Sequence, residues 1–185
     1  MRLEPHQAAP SFSAETVQGG FVSFEQFAGK PLLLKFHRYA ACPICNLHLH
    51  DFARRFPEFH QRGLEAVAFF HSPVESIREH AGTEQYPFAL AADPTFRVYR
   101  RYGVETSWPR LALSALRPNF YYDWVRAMRQ GYWGGKMPLQ IAKMPADFLI
   151  GPDGRIAHAH YGRTIGDHLP YHEIEVALTT TVRVT

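Results

Sequence analysis

Cys42 and Cys45 are the two cysteines of this 185-residue chain, and they stand in the run Cys42-Pro43-Ile44-Cys45. Two thiols at that spacing can close an intramolecular disulfide and reopen it. The thiolate is the reactive form, and a helix start beneath it favours S⁻ over SH. Pro43 suits the first helical position, where its missing N–H would have no partner. Cys42 then caps the helix, close to unpaired N–H groups and the positive end of the helix dipole. Cys42 is expected to be the more exposed, attacking sulfur, and Cys45, one turn in, the resolving one. The first forms a mixed disulfide and the second releases it.

Two other uses of the pair are weaker. Eleven histidines raise the question of a metal, but a closed zinc site needs four ligands and only two thiols are present. His48 and His50 are two apart on a helical pattern and face different directions. His158 and His160 share a strand face that nothing links to the cysteines, and His168 and His172 come late. No metal and no cofactor are expected. Free cysteine is often an ordinary buried residue, but paired spacing at a helix start argues against that here. His37, just before the pair, is expected to pack rather than to donate a proton.

The elements that position the pair follow from periodicity. Leu32-Leu33-Leu34-Lys35-Phe36 is a short apolar run, the mark of a strand covered on both faces. From Pro43 to Gln61 the spacing of Leu49, Phe52, Phe56 and Phe59 predicts a helix. Leu64 to Phe70 and Phe88-Ala89-Leu90 predict further strands. Ser72-Pro73-Val74-Glu75 predicts a helix with Ser72 as its cap, and Asp93-Pro94 opens another through Tyr102. Phe148-Leu149-Ile150, the turn at Gly151-Pro152-Asp153-Gly154, and Ile156 to Tyr161 predict a hairpin. A last helix is expected over 171–178. Strands alternating with helices imply an α/β fold with a mixed sheet. Residues 105–142 interrupt that alternation. Pro118 opens a helix there whose stripe Phe120, Trp124 and Met128, like Trp108 and Trp133, is expected to be core.

The chain is long enough for one domain, 1–185, with a substantial core. Its 46% apolar and 20% charged residues are ordinary for a globular protein. The net charge of +3 comes from scattered arginines, so no nucleic-acid patch is indicated. No apolar stretch reaches membrane-span length, and Met1-Arg2-Leu3-Glu4-Pro5 lacks the apolar region of a signal peptide. A cytoplasmic location is expected, where a close cysteine pair is catalytic more often than structural.

Six stretches carry a family resemblance. They are Ala9-Pro10-Ser11-Phe12, Lys30 to Phe36, Cys42 to Cys45, Ala89 to Pro94, Tyr102-Gly103-Val104, and Pro145 to Ile156. With them the chain resembles the redoxins: the thioredoxin fold, and within it the peroxiredoxin-like AhpC/TSA family. The CxxC pair and the 105–142 insert are similar to the peroxiredoxin-like 2 subgroup. The resemblance implies a mixed sheet flanked by helices, with a helical insertion at 105–142 before the proline-bearing strand.

Two positions depart from the peroxiredoxin pattern Phe-x-Pro-x-x-x-Thr-x-x-Cys. Counted from Phe36, the proline position is Arg38, the threonine position is Cys42 and the peroxidatic position is Cys45. The arginine expected before the late strand is Pro145. Both changes run toward thioredoxin-like oxidoreductases, so Met144-Pro145 resembles their cis-proline site. Met144, Pro145, Arg38 and Tyr39 are the implied substrate-site residues, Arg38 replacing the lost positive charge. The leading expectation is thiol-disulfide exchange with Cys42 attacking. The partner is a thiol or disulfide substrate protein or a small thiol reductant. The alternatives are a thiol peroxidase acting on peroxide and a non-enzymatic redox-sensing or metal-binding module. The insertion is expected to be a cap or a homodimer surface.

Overall fold

A computed structural model describes residues 1–82, 85–135 and 137–182. Its centre is one seven-stranded mixed sheet. The strands are β1 (Ser13–Thr16), β2 (Phe21–Ser23), β3 (Leu32–Phe36), β4 (Glu65–Phe70), β5 (Ala89–Ala92), β6 (Ala146–Ile150) and β7 (Ile156–Tyr161), in the order β2-β1-β5-β4-β3-β6-β7. β3, β4 and β5 run parallel, and β6 is antiparallel to β3 with Phe36 opposite Ala146. The helices are α1 (Pro43–His60), α2 (Val74–His80), α3 (Arg97–Arg101), α4 (Trp108–Ala115), α5 (Pro118–Arg129) and α6 (Tyr171–Val182). β3, β4 and β6 are buried on almost every residue, as strands covered by helices on both faces must be.

The two faces bury separate cores. One gathers Phe36, Phe69, Tyr99, Tyr102 and Phe148. There Phe36 stacks on Phe69 and meets Tyr99 edge-on, both at 5.0 Å between ring centroids, geometry worth about 1 kcal/mol per pair beyond burial. The other core lies under α1 and holds Leu49, Phe52, Phe56 and Phe59 together with Cys42, Cys45 and Met144. Central position in the sheet thus fixes the end of β3, from which the cysteine loop leaves.

Several expectations are corrected. Ser72 does not cap α2; the cap is Pro73, and the Ser72 hydroxyl accepts the Ala40 N–H at 3.0 Å. Asp93 serves α3 from outside the helix, its carboxylate accepting the N–H groups of Arg97, Val98 and Tyr99. β1 and α4 go beyond the elements expected. Of the insertion's aromatic residues the three tryptophans are not core, Trp108, Trp124 and Trp133 being 59%, 48% and 76% exposed, whereas Phe120 packs half-buried against the core under α1. Only Ala127 of α5 is buried, because the helix is held to α1 by the Arg126–Asp51 ion pair at 3.0 Å rather than sunk into the sheet. Lys136, inside the inserted segment, lies outside the described residues. Among the described residues, no helix is long and apolar enough to cross a membrane.

Candidate active site

β3 ends at Phe36, and the next six residues carry the chain to the first turn of α1. This loop is tied down at each step. The His37 N–H donates to the Phe69 carbonyl, and the Tyr99 hydroxyl lies 2.5 Å from the His37 carbonyl. The Asn46 amide donates to the Ala40 carbonyl at 2.9 Å. Cys42 is the N-cap of α1 in extended conformation, with Pro43 at the first helical position. Its sulfur accepts the Cys45 N–H at 3.4 Å, so it takes the capping role normally filled by an oxygen.

Both thiols are free and both are 2% exposed. The expected difference in exposure is therefore absent. The loop at Gly134 and Gly135 runs against the residues flanking Cys42: a Cβ at Gly134 would press on Pro43 and the Ala41 carbonyl, and one at Gly135 on Ala41 and His80. The two sulfurs differ instead in charge. Burial pushes the Cys42 thiol up. Against it act a hydrogen bond from the Cys45 thiol, the Arg38 guanidinium, and the Cys45 and Ile44 N–H groups, which together bring Cys42 down to about 6. Burial and the neighbouring Cys42 anion push Cys45 well above the ordinary thiol range. Environments that drive two titratable neighbours apart assign them different tasks.

Arg38 is 4% exposed, with Nη1 3.6 Å from Cys42 Sγ. Its Nε donates to the Ile141 carbonyl at 3.1 Å, and Nη2 donates to the same oxygen. Burial opposes the guanidinium charge, but Cys42, Cys45 and Tyr39 raise its pKa on balance. The Tyr39 ring lies 5.3 Å from the guanidinium carbon and is nearly buried; burial first, then Cys42, lifts its hydroxyl to about 12.

The Met144–Pro145 expectation is corrected in geometry. Among the described residues there is no cis peptide bond. The segment before β6 is held extended by a bridge between Thr106 and Lys143 and by the Met144 N–H donating to the Glu105 carbonyl. Pro145 turns toward the end of β7, where its carbonyl accepts the Gly162 N–H. Met144 is buried in the same core as both cysteines. The inserted segment thus meets the thiols through the Ile141 carbonyl and Arg38.

A second cluster of polar groups, beyond those expected, lies behind the pair. Lys35, in the middle of β3, is 2% exposed on its side chain and pairs with fully buried Asp147 of β6 at 2.9 Å. Asp147 also meets His168 Nδ1 at 2.9 Å and accepts the Leu169 N–H at 2.6 Å. A lysine inside a strand covered on both faces needs such a partner, and that was the available signal. His37 is fully buried, stacked on Phe70 at 5.0 Å, with neither ring nitrogen hydrogen-bonded. Burial holds its pKa well below the ordinary value, so it is a packed neutral imidazole. His158 pairs with Glu173 and His160 with Asp167. Among the described residues no group of three or more His, Cys, Asp or Glu side chains could hold a metal ion.

A CxxC pair on the first turn of the helix that follows the interior parallel strand β3, with an antiparallel hairpin beyond it, defines a thiol redox protein of the thioredoxin fold. The AhpC/TSA family model matches residues 5–159, and the chain belongs to that family. It is 23% identical over 152 residues to the "Putative peroxiredoxin Rv2521" of Mycobacterium tuberculosis, covering 80% of this chain and 97% of that one. It is 32% identical over 120 residues to the mitochondrial thioredoxin-dependent peroxide reductase of Bos taurus, covering 60% of this chain and 47% of that one. The crystal structure of peroxidoxin BcpB from Mycobacterium tuberculosis superposes with a TM-score of 0.67 at 14% identity, over 100% of this chain and 99% of that one. The chain is a thiol-dependent redox enzyme, a thiol-disulfide oxidoreductase or a peroxiredoxin-like thiol peroxidase.

Proposed function

We infer that the enzyme carries out thiol-disulfide exchange with Cys42 as the attacking thiolate and Cys45 as the resolving thiol. The observation that carries this reading is the place of Cys42 at the N-cap of α1, where its sulfur accepts the Cys45 N–H at 3.4 Å and lies 3.6 Å from Arg38 Nη1, so that its thiolate is favoured over that of Cys45. At neutral pH Cys42 is then largely thiolate and still close enough to ambient pH to be a good nucleophile. Its attack on a substrate disulfide forms a mixed disulfide and expels one substrate thiolate. Cys45, deprotonated in the step, attacks Cys42 and releases the second thiolate, leaving the Cys42–Cys45 disulfide. Arg38 holds the Cys42 anion. Tyr39, Met144 and Pro145 belong to the walls of the substrate site. The partners are thiol or disulfide substrates and a thiol reductant.

A Cys45→Ser variant incubated with a disulfide substrate should trap an adduct on Cys42, read by mass spectrometry of the cleaved peptides. An adduct that never forms, alongside fast thiol consumption by peroxide, overturns the reading.

The second reading is a thiol peroxidase in which Cys45, at the family's peroxidatic position, or Cys42 takes oxygen from peroxide as a sulfenic acid and the other cysteine resolves it. The likeness to a peroxide reductase favours it. Stopped-flow oxidation decides this reading; a rate no faster than that of free cysteine removes it. We also take 1–185 as a single domain with 105–142 as its insertion. The exposed face of α4 and α5, with Trp108, Leu116, Tyr121 and Trp124, serves as a homodimer surface.

A further inference from the structure

Apart from the thiol chemistry, we propose that the cavity between the α4–α5 pair and the loop after β7 binds a small polyanion through its phosphate or carboxylate groups. The cavity holds about 720 Å³, the size of small-molecule sites. Such sites are mostly apolar, whereas this wall carries Arg2, Arg110, Arg117 and Arg163. The four come from separate parts of the chain: the N-terminal arm, α4, the start of α5 and the loop after β7. Like charges gathered by a fold repel one another and cost stability, and a bound anion relieves that cost. The planar guanidinium fork takes phosphate and carboxylate oxygens two at a time.

The nearby acids do not cancel this charge. Glu105 lies 2.7 Å from Arg2 Nε and 2.6 Å from Arg110 Nη1, so two guanidinium groups share one carboxylate. Asp167 is turned to its own loop, 3.1 Å from His160 Nε2, and accepts the Arg163 N–H at 2.7 Å. Asp123 lies 3.4 Å from His48. Among the described residues no acid pairs with the guanidinium group of Arg117 or Arg163, and both residues are exposed.

The start of α5 stands on the same wall. Arg117 is its N-cap, no side chain caps it, and no acidic residue stands in its first turn. A cation at the positive end of a helix is the reverse of the usual preference. An anion lying between Arg117 and the helix start reconciles the two. Asn119 in that first turn and Thr164 on the loop after β7 add an amide and a hydroxyl to the wall. A ligand seated there is gripped by the 105–142 insertion on one side and by the N-terminal arm and the β7 loop on the other. The wall includes neither Cys42 nor Cys45, so the anion is bound and not turned over.

The test titrates the full chain with inorganic pyrophosphate and, separately, with citrate, by isothermal calorimetry at low ionic strength. At least one of the two should bind at a single site per chain, and the tighter one tells phosphate from carboxylate as the preferred group. Added sodium chloride should weaken the binding. Arg117→Glu and Arg163→Glu should each weaken it about tenfold. Arg54→Glu makes the same charge change at an exposed position of α1 outside the cavity and should leave the affinity nearly unchanged. All three positions are exposed, and thermal unfolding without ligand reports an intact fold. No binding of either anion to the native chain at millimolar concentration overturns the proposal without recourse to a variant. Equal weakening by Arg54→Glu and Arg117→Glu also overturns it, because the attraction would then be to net charge and not to the cavity.

Discussion

Arg38 Nη1 sits 3.6 Å from Cys42 Sγ while two other nitrogens of the same guanidinium are fastened to the Ile141 carbonyl. The inserted segment therefore aims the cation at the thiol. Arg38→Met removes a buried positive charge beside the sulfur, and the Cys42 pKa should rise from about 6 by about one to two units. Thiolate absorbance at 240 nm across a pH series measures this directly. An unchanged midpoint would mean that the Cys45 thiol and the N–H groups of Cys45 and Ile44 hold the anion without Arg38.

Three buried histidines set the acid limit of the fold. Burial is the leading cause in each: His71 and His168 are lowered to about 4 and His37 well below its ordinary value. The folded chain keeps them neutral while the unfolded chain protonates them near pH 6.5. Their contribution to stability is complete above that value and falls as pH drops toward 4. If all three differ fully, the slope is about 4 kcal/mol per pH unit. Denaturant midpoints measured between pH 7 and pH 4.5 should decline steadily, and a flat profile would contradict it.

Lys35 and Asp147 are not equal partners. Asp147 also serves His168 and the Leu169 N–H, so Asp147→Ala strands a buried ammonium and two donors. That should cost about 3–5 kcal/mol. Lys35→Met leaves the carboxylate its other two partners and should cost less. Equilibrium unfolding of the two variants gives the order, and equal losses would show that the ion pair is the whole effect.

Much of this was legible in the residues, for physical reasons. An apolar run broken only by Lys35 and followed by Pro-x-Cys at a helix start permits few arrangements, so β3, α1 and the place of Cys42 and Cys45 follow from local pattern. The burial of both sulfurs did not follow, because the core around them includes Met144 and Ile165, about a hundred residues or more away in the chain. The tryptophans of the insertion misled because a stripe at helical spacing specifies a helix with an apolar face, not what that face meets.

That face gives a prediction about assembly. Trp124 and Tyr121 are 48% and 58% exposed. If they form the homodimer surface, Trp124→Glu should convert a dimer to a monomer in sedimentation velocity while the disulfide-reducing activity per chain is retained. A native chain that sediments as a monomer at micromolar concentration would remove this surface from the account.

The central claim is that the two neighbouring sulfurs differ in charge and not in access. Substituting either cysteine disturbs the other, since the Cys45 thiol itself holds the Cys42 anion. The direct measurement is therefore alkylation of the reduced native protein with iodoacetamide at a series of pH values, with each cysteine peptide quantified by mass spectrometry. Cys42 modification should rise with a midpoint near pH 6 while Cys45 stays unmodified through pH 8. Preferential labelling of Cys45, or a common midpoint for the two, would contradict it.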